Sequence, residues 1–347
     1  MNVTEHQRPG VYSVYDASSA LWGRTGGRAA AVAAVCSKGE AGKVYPLTGY
    51  EQAVTAFTAT EAMTELVKAL FANGAAKIYA VPVTAPTAGS NGLAGYKAAF
   101  GAIEGVEDVA AVICDSTDLS VQQALRDSVK AASEARRERL AVVCGDNDET
   151  AAALSERAGG LNCERVVLIA PGGAVHAAAV AGVIAGGSDP AQPLGGAELK
   201  EVPDLTVSWS DSEIDTLVLG GVTPLEQVGG IVSVVRGITT RTKTGQTLDP
   251  TWRELSTIRI VDDVIPSLRS ALRSKFSRAK NTEQGRGAIR SQVIVVLEGK
   301  VRQEIIAGYE DVTVSAVENN STVCMVEFKF TVTHGLNQIW LSAHITV

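Results

Sequence analysis

Two segments of the sequence contain residues whose types and spacing could support chemistry. The first, residues 170–176 (APGGAVH), places a glycine turn between an apolar run and a helical pattern. Such a turn can present backbone N–H groups to a phosphate at the start of a helix. It matches neither GxGxxG nor GxxxxGK[ST], and no lysine follows it to meet a phosphate. Glycines are common in tight strand-to-helix turns, so the sequence favours a structural role.

The second segment, residues 145–149 (GDNDE), is acidic and follows an apolar run, where Mg²⁺ could bind. An EF-hand loop needs a glycine at its sixth position and a glutamate at its twelfth. Counted from Asp146, those positions hold Ala151 and Arg157. Asp and Asn before a helix are typical N-caps, and Glu149 suits the dipole of a first turn. We therefore predict no metal site and no cofactor.

The other reactive residue types are scattered along the chain. Histidines stand at positions 6, 176, 334 and 344, and the five cysteines, at 36, 114, 144, 163 and 324, include no CxxC pair. Cys114 and Cys144 each end an apolar run, which is typical of a buried thiol. The sequence also lacks GxSxG, HExxH and a paired Cys–His arrangement. We predict no catalytic residue; an α/β phosphate- or nucleotide-binding enzyme remains the alternative function, on fold analogy alone.

The elements around these segments form an α/β pattern. Apolar runs at Val109–Cys114, Leu140–Cys144 and Val166–Ala170 are each followed by polar residues and a helical pattern. Their starts are 31 and 26 residues apart, which suits βαβ crossovers and predicts a central, doubly wound parallel sheet. The preceding region predicts the order strand, strand, helix, strand, at residues 29–35, 44–47, 61–73 and 78–83.

The last hundred residues change to an α+β pattern. We predict a helix over 263–280 and a second over 288–306, although its VIVV run could also be a strand. Strands with clear two-residue alternation follow at 312–317, 322–332 and 339–347. The chain thus divides into an extended arm (1–22), an N-terminal α/β region (23–90), a central α/β domain (91–250) and a C-terminal α+β domain (251–347) whose last strand is a second arm.

Composition and charge exclude several classes of protein. The 347 residues are 46% apolar and 20% charged, which suits two or three folded domains rather than a disordered chain. Apolar stretches fall short of the ~20 residues that cross a bilayer, and the N-terminus lacks the core of a signal peptide. We therefore expect cytoplasmic synthesis and no membrane insertion. The net charge of −7 argues against nucleic-acid binding.

One segment has the opposite charge. Between Arg269 and Arg290 there are seven basic residues and a single acidic one, Glu283, so this segment carries +6 and the remainder of the chain −13. On a helical wheel, Arg269, Arg273 and Lys280 fall on one flank beside an apolar face. Two interpretations remain open: a solvated helix face, or a binding surface for an acidic partner.

A series of segments in order along the chain resembles the phage tail-sheath family. Each motif is short and apolar with a few glycines, and the ordered set is far more specific than any one of them. The segments are residues 8–12 (RPGVY), 39–44 (GEAGKV), 47–53 (LTGYEQA) with Phe57, 176–186 (HAAAVAGVIAG), 234–239 (VVRGIT), 261–276 and 335–341 (GLNQIWL). Two departures stand out: Pro266 falls in the first turn of the predicted C-terminal helix, and the chain is short for the family, so surface-decorating insertions are expected to be absent.

The resemblance implies a structural protein without enzymatic activity. Sheath subunits polymerise as stacked hexameric rings in a helix around an inner tail tube and contract to drive the tube through a target envelope. The implied partners are other copies of the chain, the tube protein, and baseplate and tail-terminator proteins. The implied location is the tail of a virion or of a phage-tail-like particle such as a tailocin, assembled in the bacterial host cytoplasm. Another ring- or tube-forming structural protein is a further alternative.

The resemblance also assigns roles to particular residues. Sheath subunits donate terminal strands to their neighbours, and a lone strand leaves backbone groups that need such a partner. Given this resemblance, the segment with a charge of +6 predicts that Arg269, Arg273, Lys275 and Lys280 face an acidic inner tube. The implied inter-subunit strand residues are Val11, Tyr12, Val14, Ile339, Leu341, Ala343, Ile345 and Val347.

Overall fold

The structure, a computed structural model, describes residues 28–318 and 320–337. The predicted N-terminal arm with Val11, Tyr12 and Val14, and the final strand over 339–347, lie outside these ranges. In the described part of the chain, the elements in order are β1 (Ala29–Val35), β2 (Tyr45–Leu47), α1 (Tyr50–Phe57), α2 (Ala62–Ala72), β3 (Lys77–Val83), α3 (Leu93–Glu104), β4 (Val109–Cys114), α4 (Leu119–Glu134), β5 (Leu140–Cys144), α5 (Ala151–Leu161), β6 (Val166–Ala170), α6 (Ala174–Gly186), β7 (Glu198–Leu199), α7 (Asp211–Leu219), β8 (Thr223–Val228), β9 (Ile231–Val234), β10 (Lys243–Thr244), β11 (Thr247–Leu248), α8 (Leu255–Phe276), α9 (Glu283–Arg302), β12 (Ile306–Val317) and β13 (Asn320–Val332).

A nine-stranded sheet organises most of the described chain, in the order β2-β3-β1-β4-β5-β6-β8-β9-β7. The six strands from β3 to β8 in this order pair in parallel, and β2, β9 and β7 add antiparallel strands at the two sides. Helices α1, α2 and α6 cover one face, and α3, α4, α5 and α7 cover the other. The predicted doubly wound parallel sheet is therefore confirmed.

The sheet continues across the boundary that the sequence suggested at residue 90. Strand β1 lies between β3, which precedes this boundary, and β4, which follows it. Ala30 and Val32 of β1 share a buried cluster with Val142 of β5 and Ile169 of β6. Residues from both sides of the boundary thus form one sheet with common cores.

The C-terminal region packs two helices against an antiparallel pair of strands. Helix α8 begins at Leu255, earlier than predicted, so Pro266 lies in the helix interior rather than in the first turn. The helix ends at Phe276, which leaves Lys280 in the following loop. The VIVV run belongs to α9 and is helical. Ile260, Val264 and Leu268 of α8 form a third buried cluster with residues of α9, β12 and β13.

Close packing of α6 on α2 depends on two glycines. A Cβ atom at Gly182 would lie 2.7 Å from the Leu70 carbonyl oxygen, and one at Gly186 would lie 2.6 Å from the Gly74 carbonyl oxygen. Real Cβ atoms do not approach backbone so closely, so a larger residue would force the helices apart. These glycines explain why this largely buried, apolar helix can lie directly on its neighbour. Among the described residues, no helix has the length and apolarity needed to span a membrane.

We expect Gly182→Ala to lower the free energy of unfolding by about 1–3 kcal/mol, because the new methyl group meets the backbone of α2. Gly159 offers a matched control, since it lies in α5 and a Cβ there meets nothing within 4 Å. Gly159→Ala should be neutral or stabilising by up to about 1 kcal/mol, as expected for an open helix position. Urea unfolding of both variants measures the difference; equal stabilities would show that α6 and α2 tolerate separation.

Candidate functional site

The glycine turn before α6 uses its backbone donors within the protein. Gly172 donates its N–H to Asn147 Oδ1 at 2.9 Å, and Gly173 donates its N–H to His176 Nδ1 at 3.2 Å. His176 Nε2 in turn lies 3.0 Å from the carbonyl oxygen of Pro203. A bound phosphate would need these same N–H groups. The turn is therefore built as a structural junction between β6, α6 and the loop at residue 203.

The acidic segment after β5 is likewise committed to internal contacts. Glu149 receives hydrogen bonds from Arg157 through Nη2 at 2.9 Å and Nε at 3.0 Å, and from the backbone N–H of Asp146 at 2.8 Å. Thr150, rather than an Asp or Asn, caps α5 by accepting the Ala153 N–H. Within residues 28–318 and 320–337, no group of three His, Cys, Asp or Glu side chains could hold a metal ion.

A cavity of about 320 Å³ lies at the carboxyl ends of the parallel strands, where α/β sheets often bind ligands. Its lining includes Asp115, Asn147, Gly172 and His176, which follow three different strands. Asp115 accepts hydrogen bonds from the Val35 N–H at 2.9 Å and the Tyr96 hydroxyl at 2.5 Å, and burial raises its pKa. Asp115 thus connects the end of β4 to β1 and α3, and Asn147 connects the loop after β5 to the turn before α6.

The cysteines are free thiols in the structure, and four of them are buried. Burial raises the pKa of Cys114 and raises that of Cys144 to about 11. The thiolate is the reactive form of cysteine, so these side chains are protonated and unreactive at neutral pH.

The predicted basic flank is divided in the structure. Arg273 and Lys275 are exposed on α8, while Lys280 is exposed in the loop that follows it. Lys275 Nζ donates a hydrogen bond to Gln292 Oε1 of α9 at 2.5 Å. The prediction that Arg269, Arg273 and Lys280 share one helical flank is therefore wrong, because α8 ends before Lys280. The exposed positive charge instead covers the end of α8 and the loop to α9.

Arg269 has a partner that the sequence did not indicate. Its Nη2 atom donates to Glu138 Oε1 at 2.8 Å, across 131 positions of the chain. Burial disfavours the charge on Glu138, but the hydrogen bond from Arg269, a backbone hydrogen bond and the positive charges of Arg269 and Arg165 together outweigh it, so the pKa of Glu138 lies below its ordinary value. Arg269 is half-buried in this ion pair and is not a free cation like its neighbours. No local pattern could have revealed this contact.

The strands β12 and β13 form a two-stranded antiparallel ribbon among the described residues. One face of β13 packs on the helices through Val326, Phe328 and Phe330, whereas Val323 and Met325 are exposed on the other. The outer edge of each strand has no described strand beside it, so its outward N–H and C=O groups are suited to pairing with an added strand. The sequence showed the hairpin but not that its outer edges have no neighbouring strand among the described residues.

Comparison with known proteins identifies two matching domains. The model of the phage tail sheath protein central domain matches residues 89–240, and that of the phage tail sheath C-terminal domain matches residues 247–346. The tail sheath protein of Bacillus phage SP01 is 29% identical over 253 residues, which are 68% of this chain and 43% of that protein. The chain therefore spans less than half the length of this curated relative.

Solved structures share the fold at low sequence identity. A chain in the cryo-EM structure of the baseplate of the anti-feeding prophage has a TM-score of 0.75 at 17% identity, with 99% of this chain and all of that chain covered. A chain in the contracted helical sheath of the same particle has a TM-score of 0.71 at 16% identity, with 98% and 99% covered. The mixed α/β architecture is thus common to these assemblies and to the present chain.

Proposed function

Because this chain belongs to the phage tail sheath family, we propose that it is a structural subunit of a contractile tail sheath. The observation that carries the proposal is the match of two successive sheath domains over residues 89–240 and 247–346. In this role the subunit polymerises helically around an inner tube and contracts to drive the tube through a target envelope. It has no enzymatic step, and the energy for contraction is stored during assembly.

Subunits are joined in this proposal by terminal strands that add to the β12–β13 ribbon of a neighbour. Each backbone hydrogen bond contributes only about 0.5–1.5 kcal/mol, but an added strand makes several and a lattice repeats them at every contact. The outer edges of the ribbon, which have no neighbouring strand among the described residues, would supply the acceptor side of this exchange. The donors are the segments containing Val11, Tyr12 and Val14 and the residues Ile339, Leu341, Ala343, Ile345 and Val347.

The inner tube is contacted by the exposed basic residues Arg273, Lys275 and Lys280. They belong to the segment that carries +6 in an otherwise acidic chain. Charge pairs at a partly solvated surface contribute modestly and are screened over about 10 Å at 0.1 M salt, so such a contact can form during assembly and be released on firing. An acidic tube surface is the complementary partner.

The particle in this proposal is a virion tail or a phage-tail-like device made of stacked hexameric rings. Baseplate and terminator proteins close its two ends, and the subunits are made in the cytoplasm of the bacterial host. A fold like that of the contracted anti-feeding-prophage sheath supports an assembly of this kind.

Electron microscopy of the purified full-length protein tests the proposal. We expect spontaneous tubes built of six-fold rings, with the diameter and pitch of a contracted sheath. A monomer that binds nucleotide or phosphate and never polymerises would instead support an α/β enzyme. Tubes or layers with a different subunit arrangement would indicate another kind of structural protein.

A further inference from the structure

We propose that Glu138, Arg165, Asp262 and Arg269 form an ionic joint that sets the position of α8, and of the basic residues it carries, against the central sheet. In this assignment Arg269 is a positioning residue rather than a tube contact. The effect on tube binding rests on the function proposed above, whereas the effect on subunit stability does not.

The four residues come from two sides that face each other. Glu138 and Arg165 lie just before β5 and β6, which are adjacent parallel strands, so both sit at the amino edge of the sheet. Asp262 and Arg269 are seven residues apart on α8, which is about two helical turns and places them on the same side. The two residues on the sheet and the two residues on α8 can therefore face each other at the same time.

The contacts are short and directional. Arg165 binds Asp262 in a bidentate pair, with Nη1 2.7 Å from Oδ2 and Nη2 2.9 Å from Oδ1. Arg269 binds Glu138 at 2.8 Å. The exposed fractions of the Arg165 and Asp262 side chains are 12% and 8%, and those of Arg269 and Glu138 are 36% and 13%. The charges of Arg165, Asp262 and Glu138 have little exposure and are costly unless paired, so they depend on the partners across the joint.

The order of the charges also specifies the register. The sheet side presents an acid and then a base, and α8 presents the complementary base and acid. If α8 slid by two turns in one direction, Asp262 would face Glu138, and in the other direction Arg269 would face Arg165. In either case the two remaining residues would have no partner. Such mismatches disfavour alternative positions by repulsion and by unpaired buried charge.

The packing between α8 and the edge of the sheet is open around Asp262. An open groove of about 430 Å³ runs between the helix and the sheet edge, lined by Ala110, Leu140, Asp262 and Pro266 among others. Pro266 has no N–H to donate to the carbonyl of Asp262, so the helix lacks one backbone hydrogen bond here. Polar contacts bridge this groove: the two ion pairs, and hydrogen bonds from Arg259 of α8 to the carbonyl oxygens of Gln192 and Asp189.

Helix α8 packs both on the central sheet and in the C-terminal cluster, so its position affects how these two parts of the subunit are arranged. Ile258 is buried in the cluster on the central sheet, and Val264 is buried in the C-terminal cluster. Asp262 lies between them, and the neighbouring Asp263 pairs with Lys300 of α9. Moving α8 relative to the sheet would carry α9 and the exposed Arg273 with it.

Three variants of the full chain, in which neutral glutamine replaces a charged residue, test the joint: Glu138→Gln, Arg269→Gln and their combination. We expect each single variant to reduce the amount of extended sheath formed on the tube by about fivefold, and the double variant to lose no more than either, because coupled residues are not additive. The decisive variant is Glu138→Gln, which leaves Arg269 in place. If Arg269 contacted the tube directly, Glu138→Gln would preserve or increase sheath formation, and the proposal would be overturned.

Two controls separate the joint from a general charge effect. Glu134 is an exposed acid of α4, and Glu134→Gln should leave assembly unchanged. Arg273→Gln removes an exposed cation of α8, and its effect should add to that of Glu138→Gln.

Thermal unfolding supplies a readout that needs no tube. Arg165→Gln should lower the Tm by about 8 °C, because it leaves Asp262 buried without a partner. In the Glu138 and Arg269 variants, the Tm of the double variant should be no lower than that of the more destabilised single variant. Strictly additive Tm changes would show that the residues are not coupled, even if the wild-type chain proved to bind no tube.

Discussion

Removal of residues 336–347 is expected to leave a folded subunit that cannot build long sheaths. The three buried clusters of the described chain include no residue beyond 332. Leu336 is exposed, and Gly335 lies close to the body of the subunit, since a Cβ there would be 2.9 Å from Pro193. Truncation after residue 335 therefore removes no residue of these described clusters, and it removes the segment that we propose to pair with a neighbour. Deletion of residues 1–15 should have the same effect.

The loss of polymer should be nearly complete, since each missing strand removes several hydrogen bonds at every contact of the lattice. Sedimentation and electron microscopy measure the length of the polymers, and circular dichroism shows whether the subunit stays folded. A matched control replaces residues 336–347 with a glycine–serine segment of equal length, which should fail in the same way. Tubes of normal length from either truncation would contradict strand donation.

Reversal of the exposed basic residues should prevent the sheath from assembling in its extended form. In the variant Arg273→Glu, Lys275→Glu, Lys280→Glu, the surface proposed to face the tube changes by six charge units. Attraction to an acidic tube becomes repulsion, so we expect extended sheath on tubes to fall at least about tenfold at 0.1 M salt, and less at high salt, where charges are screened. Subunit contacts made by the terminal strands are untouched, and empty contracted tubes should still form.

A second triple variant controls for net charge. Lys38, Lys97 and Lys130 are exposed on the part of the subunit that contains the central sheet and its helices, and their change to Glu alters the total charge equally. This variant should still form extended sheath when co-expressed with the tube protein. If electron microscopy shows normal extended sheath for the first variant as well, the basic residues do not bind the tube.

The sequence by itself determined the central strands to the residue. Strands β4, β5 and β6 are continuous apolar runs because both faces of the sheet are covered, and polar residues mark where each leaves the core. The ordered motifs of the sheath family and the excess of positive charge near Arg269 were likewise evident from residue order. These features are local, because periodicity, capping and composition depend on residues that are close together in the sequence.

Tertiary structure alone decided which distant residues meet. Strand β1 pairs with both β3 and β4, so the sheet continues across residue 90; the sequence did not show this, because strand partners depend on crossovers that spacing does not specify. Helix α8 begins at Leu255 because its first turns pack on the central sheet, a contact that its own sequence does not reveal. The local sequence presents Arg269 as a free cation, whereas the fold pairs it with Glu138, 131 positions away. The free energy of a charge depends on its surroundings, and the fold brings those surroundings from other parts of the chain.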